Sequence, residues 1–218
     1  MIDYQDIYVI TAPSGTGKTT INRRLIEEVK NIEISISHTT RKQRPGEVHG
    51  DHYWFIGTGE FENLIKENKM IEWAKVFGNY YGTSFFELDR ISKKEHKILL
   101  EIDVQGWLSV KAKISKIHSV FILPPSMEVL WKRLKKRGTD SFSDRLTRFN
   151  KAKDELKYSS SFANFIINDD FEETFITVKN FVTGKQNVLM NYDKAYLHIK
   201  KLLDEFTLLT KKDNLDKM

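Results

Sequence analysis

No cysteine occurs among the 218 residues, which excludes a disulfide framework, a thiolate metal site and a cysteine nucleophile. A reducing, cytoplasmic setting is the expectation that follows. Proline is scarce, at 4 residues, and glycine reaches only 11, so collagen-like and low-complexity chains are excluded as well. No apolar run approaches the roughly 20 residues that span a bilayer, and Met1-Ile2-Asp3-Tyr4-Gln5-Asp6 lacks the basic start and apolar stretch of a signal peptide. Neither sign of charge dominates: 35 Lys+Arg against 30 Asp+Glu leaves +5, too mild for a nucleic-acid-binding face and suited to local basic sites for a small anionic substrate. What is present is 40% hydrophobic residues over a length that suits one domain with a small insertion.

Those residues alternate between two periods. Ile7-Tyr8-Val9-Ile10-Thr11-Ala12 reads as a buried strand, and Ile21, Leu25, Ile26 and Val29 fall on one face of a helix over 19–30. The alternation returns with strands at 98–103, 119–123 and 165–168, and helices from Gly106, over Met127–Arg137 and from Asp170 to Val182. Strands interleaved with helices predict an α/β fold with a mostly parallel sheet. Between 34 and 84 the texture changes to short strands at 34–37, 52–56 and 70–76, a small and largely antiparallel insertion. Residues 140–158 carry Arg145, Arg148, Lys151 and Lys153 among sparse apolar residues, which predicts an exposed helical excursion. After Gly184 a helical stripe of apolar residues is expected to pack on the core, ahead of a fraying polar end.

Ala12-Pro13-Ser14-Gly15-Thr16-Gly17-Lys18-Thr19 sits between the first strand and the first helix. This is the phosphate-loop arrangement, with Ala12 in the place of the first glycine. Glycines let successive N–H groups curl around a phosphate chain, the helix N-terminus adds partial positive charge, Lys18 reaches the β and γ phosphates, and the Thr19 hydroxyl can ligate Mg²⁺. Such a loop serves GTPases, ATPases and kinases alike, so it implies a nucleoside triphosphate without deciding the reaction. The guanine-reading Asn-Lys-x-Asp sequence of regulatory GTPases is absent.

The insertion discriminates further. Ser37-His38-Thr39-Thr40-Arg41-Lys42-Gln43-Arg44-Pro45-Gly46-Glu47 leads to Gly50-Asp51-His52-Tyr53-Trp54-Phe55. Arg41 and Arg44 offer planar forks for phosphate oxygens, and Tyr53 and Tyr81 can donate phenolic hydrogens to the same group. An arginine pair on a loop is equally common as solvated surface charge; beside a phosphate loop it reads as a grip on a second phosphate.

These residues resemble the guanylate kinase signature Ser-x-Thr-Thr-Arg-x-x-Arg-x-Gly-Glu-x-x-Gly-x-x-Tyr-x-Phe. The likeness continues through Ile71-Glu72-Trp73-Ala74, Gly78-Asn79-Tyr80-Tyr81-Gly82-Thr83, Glu101-Ile102-Asp103-Val104-Gln105-Gly106, Pro124-Pro125-Ser126, Arg137-Gly138-Thr139-Asp140 and Ile167-Asn168-Asp169-Asp170. The resemblance implies a domain over 5–184, with a core (5–33, 85–137 and 159–184), a GMP-binding insertion (34–84) and a lid (138–158); the apolar stripe beyond the domain predicts a C-terminal helical extension (185–218). The resemblance implies ATP and GMP as substrates and Mg²⁺ as the accompanying ion; a monomer or a homodimer is expected, with no nucleic acid and no membrane as partner.

By the same resemblance Arg41, Arg44, Tyr53 and Tyr81 hold the GMP phosphate, and Ser37, Glu72, Thr83 and Asp103 face guanine. Guanine offers N1–H and N2–H₂ as adjacent donors, so an ionised Glu72 can accept from both, a pair that adenine lacks. Arg133 and Arg137 resemble positions flanking ATP, Arg148 a lid arginine and Asn168 a residue beside the adenine pocket, while Arg145 is one turn displaced. Glu101 or Asp103 can orient Mg²⁺ through water, and the two roles stay open. Lys18, Arg137 and Arg148 are the expected catalytic cations. Two departures stand out: Ala12, and His38 where the family has a small residue; His38 reads as a packing or solvent-facing variant.

Overall fold

A computed structural model describes residue 4 and residues 6–76, 78–136, 141–185, 189–211 and 215. In chain order the first elements are β1 (Ile7–Thr11), α1 (Lys18–Glu28), β2 (Ile32–Ile34), β3 (His38–Thr39), β4 (Trp54–Phe55), α2 (Thr58–Lys66), β5 (Met70–Val76) and β6 (Asn79–Ser84). Then follow α3 (Phe85–Ser92), β7 (Lys97–Leu100), α4 (Val104–Lys113), β8 (His118–Leu123), α5 (Met127–Lys136) and α6 (Phe142–Lys157). A short 3₁₀ turn (Ser159–Ser161), β9 (Phe165–Ile167), α7 (Phe171–Thr183) and α8 (Tyr192–Lys211) complete the chain. Two compact units are distinguished, Met1–Val9 with Lys30–His118, and Ile10–Val29 with Ser119–Met218.

In the first unit β7 pairs in parallel with β1 (Ile7 opposite Ile98) and with β2 (Ile32 opposite Lys97). Ile7, Val9, Ile98, Leu99 and Leu100 are fully buried, the near-continuous apolar run of a parallel strand covered on both faces. A second sheet in the order β4-β3-β6-β5 carries the insertion. It is mixed: β3 runs parallel to β4 and antiparallel to β6, which in turn pairs antiparallel with β5. Phe61 of α2 stacks on Tyr80 of β6 at 5.1 Å, anchoring that helix to the sheet.

The strand expected at 34–37 is corrected to Ile32–Ile34, and it belongs to the parallel sheet, not to the insertion. Its ladder runs out because Ser35 N–H still reaches Leu99 C=O, whereas Ile36 N–H turns to the Glu87 carboxylate. The strand expected over 98–103 stops at Leu100, leaving Glu101 to Asp103 as a connecting segment at its carboxyl end.

In the second unit β8 pairs in parallel with β9, Phe121 opposite Phe165. Helix α6 corrects a second expectation, since it is not wholly exposed. Phe149, Ala152 and Leu156 form a buried stripe, which the charges of Arg145, Arg148, Lys151 and Lys153 mask in the sequence. Phe149 meets Trp131 of α5 edge-on at 5.2 Å and stacks on Phe206 of α8 at 4.9 Å. Ala195, Ile199, Leu202 and Phe206 of α8 are buried, so its stripe packs as expected. Residues 212–214 and 216–218, expected to fray, lie outside the described residues. Phe149→Ala is expected to cost about 3–5 kcal/mol, read as a lowered midpoint in urea unfolding with an unchanged slope. Among the described residues no helix is long and apolar enough to cross a membrane.

Candidate functional site

Functional side chains gather at two places, each built inside one unit. In the second unit β1 ends at Thr11 and α1 begins at Lys18, leaving Ala12 to Gly17 as the loop between them. Gly15 (φ 92°) and Gly17 (φ 105°) occupy left-handed backbone that only glycine adopts freely. A Cβ at Gly15 would also lie 2.9 Å from the Leu134 side chain. Ala12 is not among the positive-φ residues, so its methyl brings no backbone strain to the glycine position it replaces. The N-cap of α1 is Gly17, which has no side chain to cap the first turn, and a helix N-terminus suits an anion.

Three groups brace this loop. The Asn168 amide donates to Thr16 C=O at 2.6 Å, and Arg133 donates to Asn168 C=O at 3.1 Å. Burial pushes the Arg133 guanidinium pKa down, and among the described residues its Nη1 and Asn168 Oδ1 have no hydrogen-bond partner. The third group is Glu155 of α6, whose carboxylate accepts from Ser14 N–H at 3.3 Å. Arg148 lies two turns earlier on the same helix, at a spacing that shares a face with Ala152 and Glu155. Arg137 lies outside the described residues.

In the first unit a cavity of about 200 Å³ is lined by Ser37, Tyr53, Glu72, Tyr81, Glu101 and Asp103, with Ala74, Val76, Gly82 and Ile102 supplying the apolar wall. Glu72 on β5 faces Thr83 on β6 in register, and the Thr83 hydroxyl donates to its carboxylate at 2.7 Å. Only 8% of Glu72 is exposed. Burial raises its pKa to about 7, Asp103 pushes the same way, and Thr83 and Lys113 oppose. Two glycines make room for it. A Cβ on Gly82 would sit 2.5 Å from Glu72 C=O, and one on Gly106 would sit 3.3 Å from a Glu72 carboxylate oxygen. Asp103 caps α4 by accepting from Gly106 N–H at 3.0 Å, which fixes its carboxylate at the pocket wall. At the other end of α4, Lys113 donates to Met70 C=O (2.9 Å) and Ile71 C=O (2.7 Å), tying down the strand just ahead of Glu72.

The residues expected to grip the acceptor phosphate separate into a gathered set and an outlier. Arg41 lies over the Tyr53 ring at 5.5 Å, and the Tyr53 and Tyr81 rings are 6.1 Å apart, edge to face. Arg44 stands exposed on the loop, contributing its N–H to Glu47 at 2.8 Å. His38 is a packing residue: it is 7% exposed beside Trp54, and burial holds its pKa down to about 4, so its ring is neutral.

Two groups escape a sequence reading. Glu47 accepts two hydrogen bonds from Arg41, Nη2 to Oε1 at 2.8 Å and Nη1 to Oε2 at 3.0 Å, and that guanidinium holds the Glu47 pKa down to about 2. Glu155 is the other. Both had a signal, Glu47 as the acid of the Arg-Pro-Gly-Glu turn and Glu155 by its seven-residue spacing from Arg148.

Comparison with known proteins places these features in company. A family profile described as "Guanylate kinase" matches residues 4–185. The chain is 42% identical over 200 residues to the guanylate kinase of Buchnera aphidicola subsp. Acyrthosiphon pisum, covering 90% of this chain and 97% of that one. It is 45% identical over 168 residues to the guanylate kinase of Neisseria gonorrhoeae, covering 77% and 82%. Among solved structures, guanylate kinase from Anaplasma phagocytophilum superposes with a TM-score of 0.64 at 33% identity, over 87% of this chain and 88% of that one.

Proposed function

The chain belongs to the guanylate kinase family, and from that premise we propose that it transfers the γ-phosphoryl group of ATP to GMP, and to dGMP, giving ADP and the nucleoside diphosphate. The observation that carries this reading is the buried Glu72 carboxylate, held by Thr83 in a cavity whose wall also presents Tyr53 and Tyr81. An ionised carboxylate there accepts from guanine N1–H and N2–H₂, and Asp103 and Ser37 complete the base-reading edge. Arg41, with Tyr53 and Tyr81, receives the acceptor phosphate, and Arg44 joins from its exposed position. Glu47 holds the Arg41 fork oriented before the substrate arrives.

The acceptor needs no general base. A phosphate monoester has its second pKa near 6, so its attacking oxygen is already ionised at neutral pH. A bond forms from that oxygen to the γ phosphorus as the bond to the β–γ bridging oxygen breaks, and ADP leaves. Lys18 and the backbone N–H groups of Gly15, Gly17, Lys18 and Thr19 bind and orient the donor phosphates, with Arg148 and Arg137 supplying further positive charge to the group in flight. Arg133 and Asn168 border the adenine end. Mg²⁺ bound with ATP would supply neutralisation of phosphate charge. The ion would be carried mainly by phosphate oxygens and steadied by the Thr19 hydroxyl, with Glu101 or Asp103 acting through water. We assign the insertion 34–84 to GMP, 138–158 to a lid, and the active species to a monomer or homodimer.

The test is ADP release by the purified protein with Mg·ATP and GMP, dGMP, AMP, CMP or UMP. Turnover is expected with GMP and dGMP, and at least about 10³-fold less with AMP, because Glu72 would be left facing no donor pair. Comparable rates with AMP would overturn the assignment of Glu72.

A further inference from the structure

Glu87, on α3, does not line the GMP cavity, yet it is fully buried and is a charged residue with no place in the mechanism above. Its two oxygens divide four donors in a regular way. Oε2 accepts from Ile36 N–H at 2.8 Å and from Arg90 Nη2 at 3.0 Å; Oε1 accepts from Trp54 Nε1 at 2.8 Å and from Arg90 Nε at 2.9 Å. Each oxygen therefore takes one donor from Arg90 and one from a segment of the GMP site. Arg90 is held in turn by Glu33, so the fork that neutralises Glu87 is itself fixed.

The two site segments are those that matter for GMP. Ile36 precedes Ser37, on the base-reading wall, and Trp54 follows Tyr53, on the phosphate side. Trp54 N–H also donates to Ser37 C=O at 2.9 Å, so Ile36, Ser37, Trp54 and Glu87 close a hydrogen-bonded ring. A buried ion pair adds little stability compared with well-packed apolar residues of similar volume. What a carboxylate adds is direction, because it holds donors from separate stretches of chain at fixed positions around one small group.

We propose that Glu87 is a positioning residue for the acceptor site, setting the distance between the base-reading Ser37 and the phosphate-gripping Tyr53 through its bonds to Ile36 N–H and Trp54 Nε1. The proposal rests on the GMP reading given above. Trp54→Phe removes one donor and keeps an aromatic ring, freeing only the phosphate side. Glu87→Gln keeps one accepting oxygen but turns an N–H₂ toward the remaining donors, disturbing both sides.

Calorimetric titration with GMP and with guanosine, which lacks the phosphate, separates these effects, with melting temperature recorded beside them. Trp54→Phe is expected to weaken GMP about fivefold and leave guanosine within about twofold; Glu87→Gln is expected to weaken both about tenfold, raising KM for GMP with kcat and KM for ATP little changed. Lowered melting temperatures with wild-type affinities for both ligands would overturn the proposal and leave Glu87 as a packing group. Should Glu87→Gln fail to fold, Trp54→Phe decides alone, because it leaves no buried charge unpaired. A wild-type protein that binds no GMP would overturn the functional reading itself, whereas tight wild-type binding matched by both variants would overturn only the role of Glu87.

Discussion

Glu72→Gln is expected to lower kcat/KM for GMP on the order of 10³-fold while KM for ATP stays within about twofold. Glutamine fits the same volume and its oxygen can still accept from Thr83, so the fold survives. Its N–H₂, however, presents a donor to the donors of guanine, and a buried donor facing a donor loses the partner's bond and leaves its own unmade. The melting temperature is expected not to fall, because the variant removes a carboxylate whose ionisation burial opposes.

The charge state of Glu72 adds a pH signature. With its pKa raised to about 7, the empty pocket holds a proton until the pH exceeds that value, and guanine binds the ionised form. Affinity should therefore fall about tenfold for each pH unit below 7 and level off above it. In the ligand-free protein the sign is opposite: a carboxyl whose folded pKa is raised contributes stability that is lost as pH climbs from its unfolded value through about 7. The GMP phosphate titrates near 6 with the same sign for binding, so guanosine isolates the contribution of Glu72. Titrations of guanosine at about pH 6, 7 and 8 should show the slope in the wild type and a flat response in Glu72→Gln. A flat wild-type response would separate Glu72 from base recognition.

Lys18→Ala is expected to reduce kcat by on the order of 10³-fold or more and to leave GMP affinity within about twofold. Lys18 opens α1 directly after Gly17, the second of two left-handed glycines, at the helix end assigned above to the donor phosphates. Alanine is a better helix former than lysine, and α1 is expected to remain intact. The cavity assigned above to GMP is lined wholly by residues of the other compact unit, which predicts the unchanged GMP affinity. ADP release and GMP calorimetry on one preparation check both halves; kcat within about tenfold of the wild type would remove Lys18 from the donor site.

How much of this was legible in the sequence depended on how far apart the cooperating residues lie. The phosphate loop was readable because strand, loop and helix are contiguous from Ile7 to Glu28, and the period of each shows in the apolar residues. The GMP loop was readable by its density of arginines and hydroxyls, but Glu72 acquired its role only through a family resemblance. Strand β6 went unread because Asn79 to Ser84 is polar and glycine-broken, and its pairing with β5 comes from a partner strand, not from its own pattern. Helix α6 was placed in solvent because four basic residues outweighed a three-residue apolar stripe whose partners, Trp131 and Phe206, lie on other helices.

The sequence alone determined the α/β alternation, the glycine loop between β1 and α1 and the run of arginines and hydroxyls from Ser37 to Arg44, since each is written within a few residues of chain. Tertiary structure decided the rest. It buried Glu72 against Thr83 and the α4 N-terminus and so moved its charge into the neutral range, and it set Glu87 between Ile36 and Trp54. A side chain's charge state and aim follow from the groups that surround it in space, and those groups come from stretches of chain tens of residues apart, which no local pattern records.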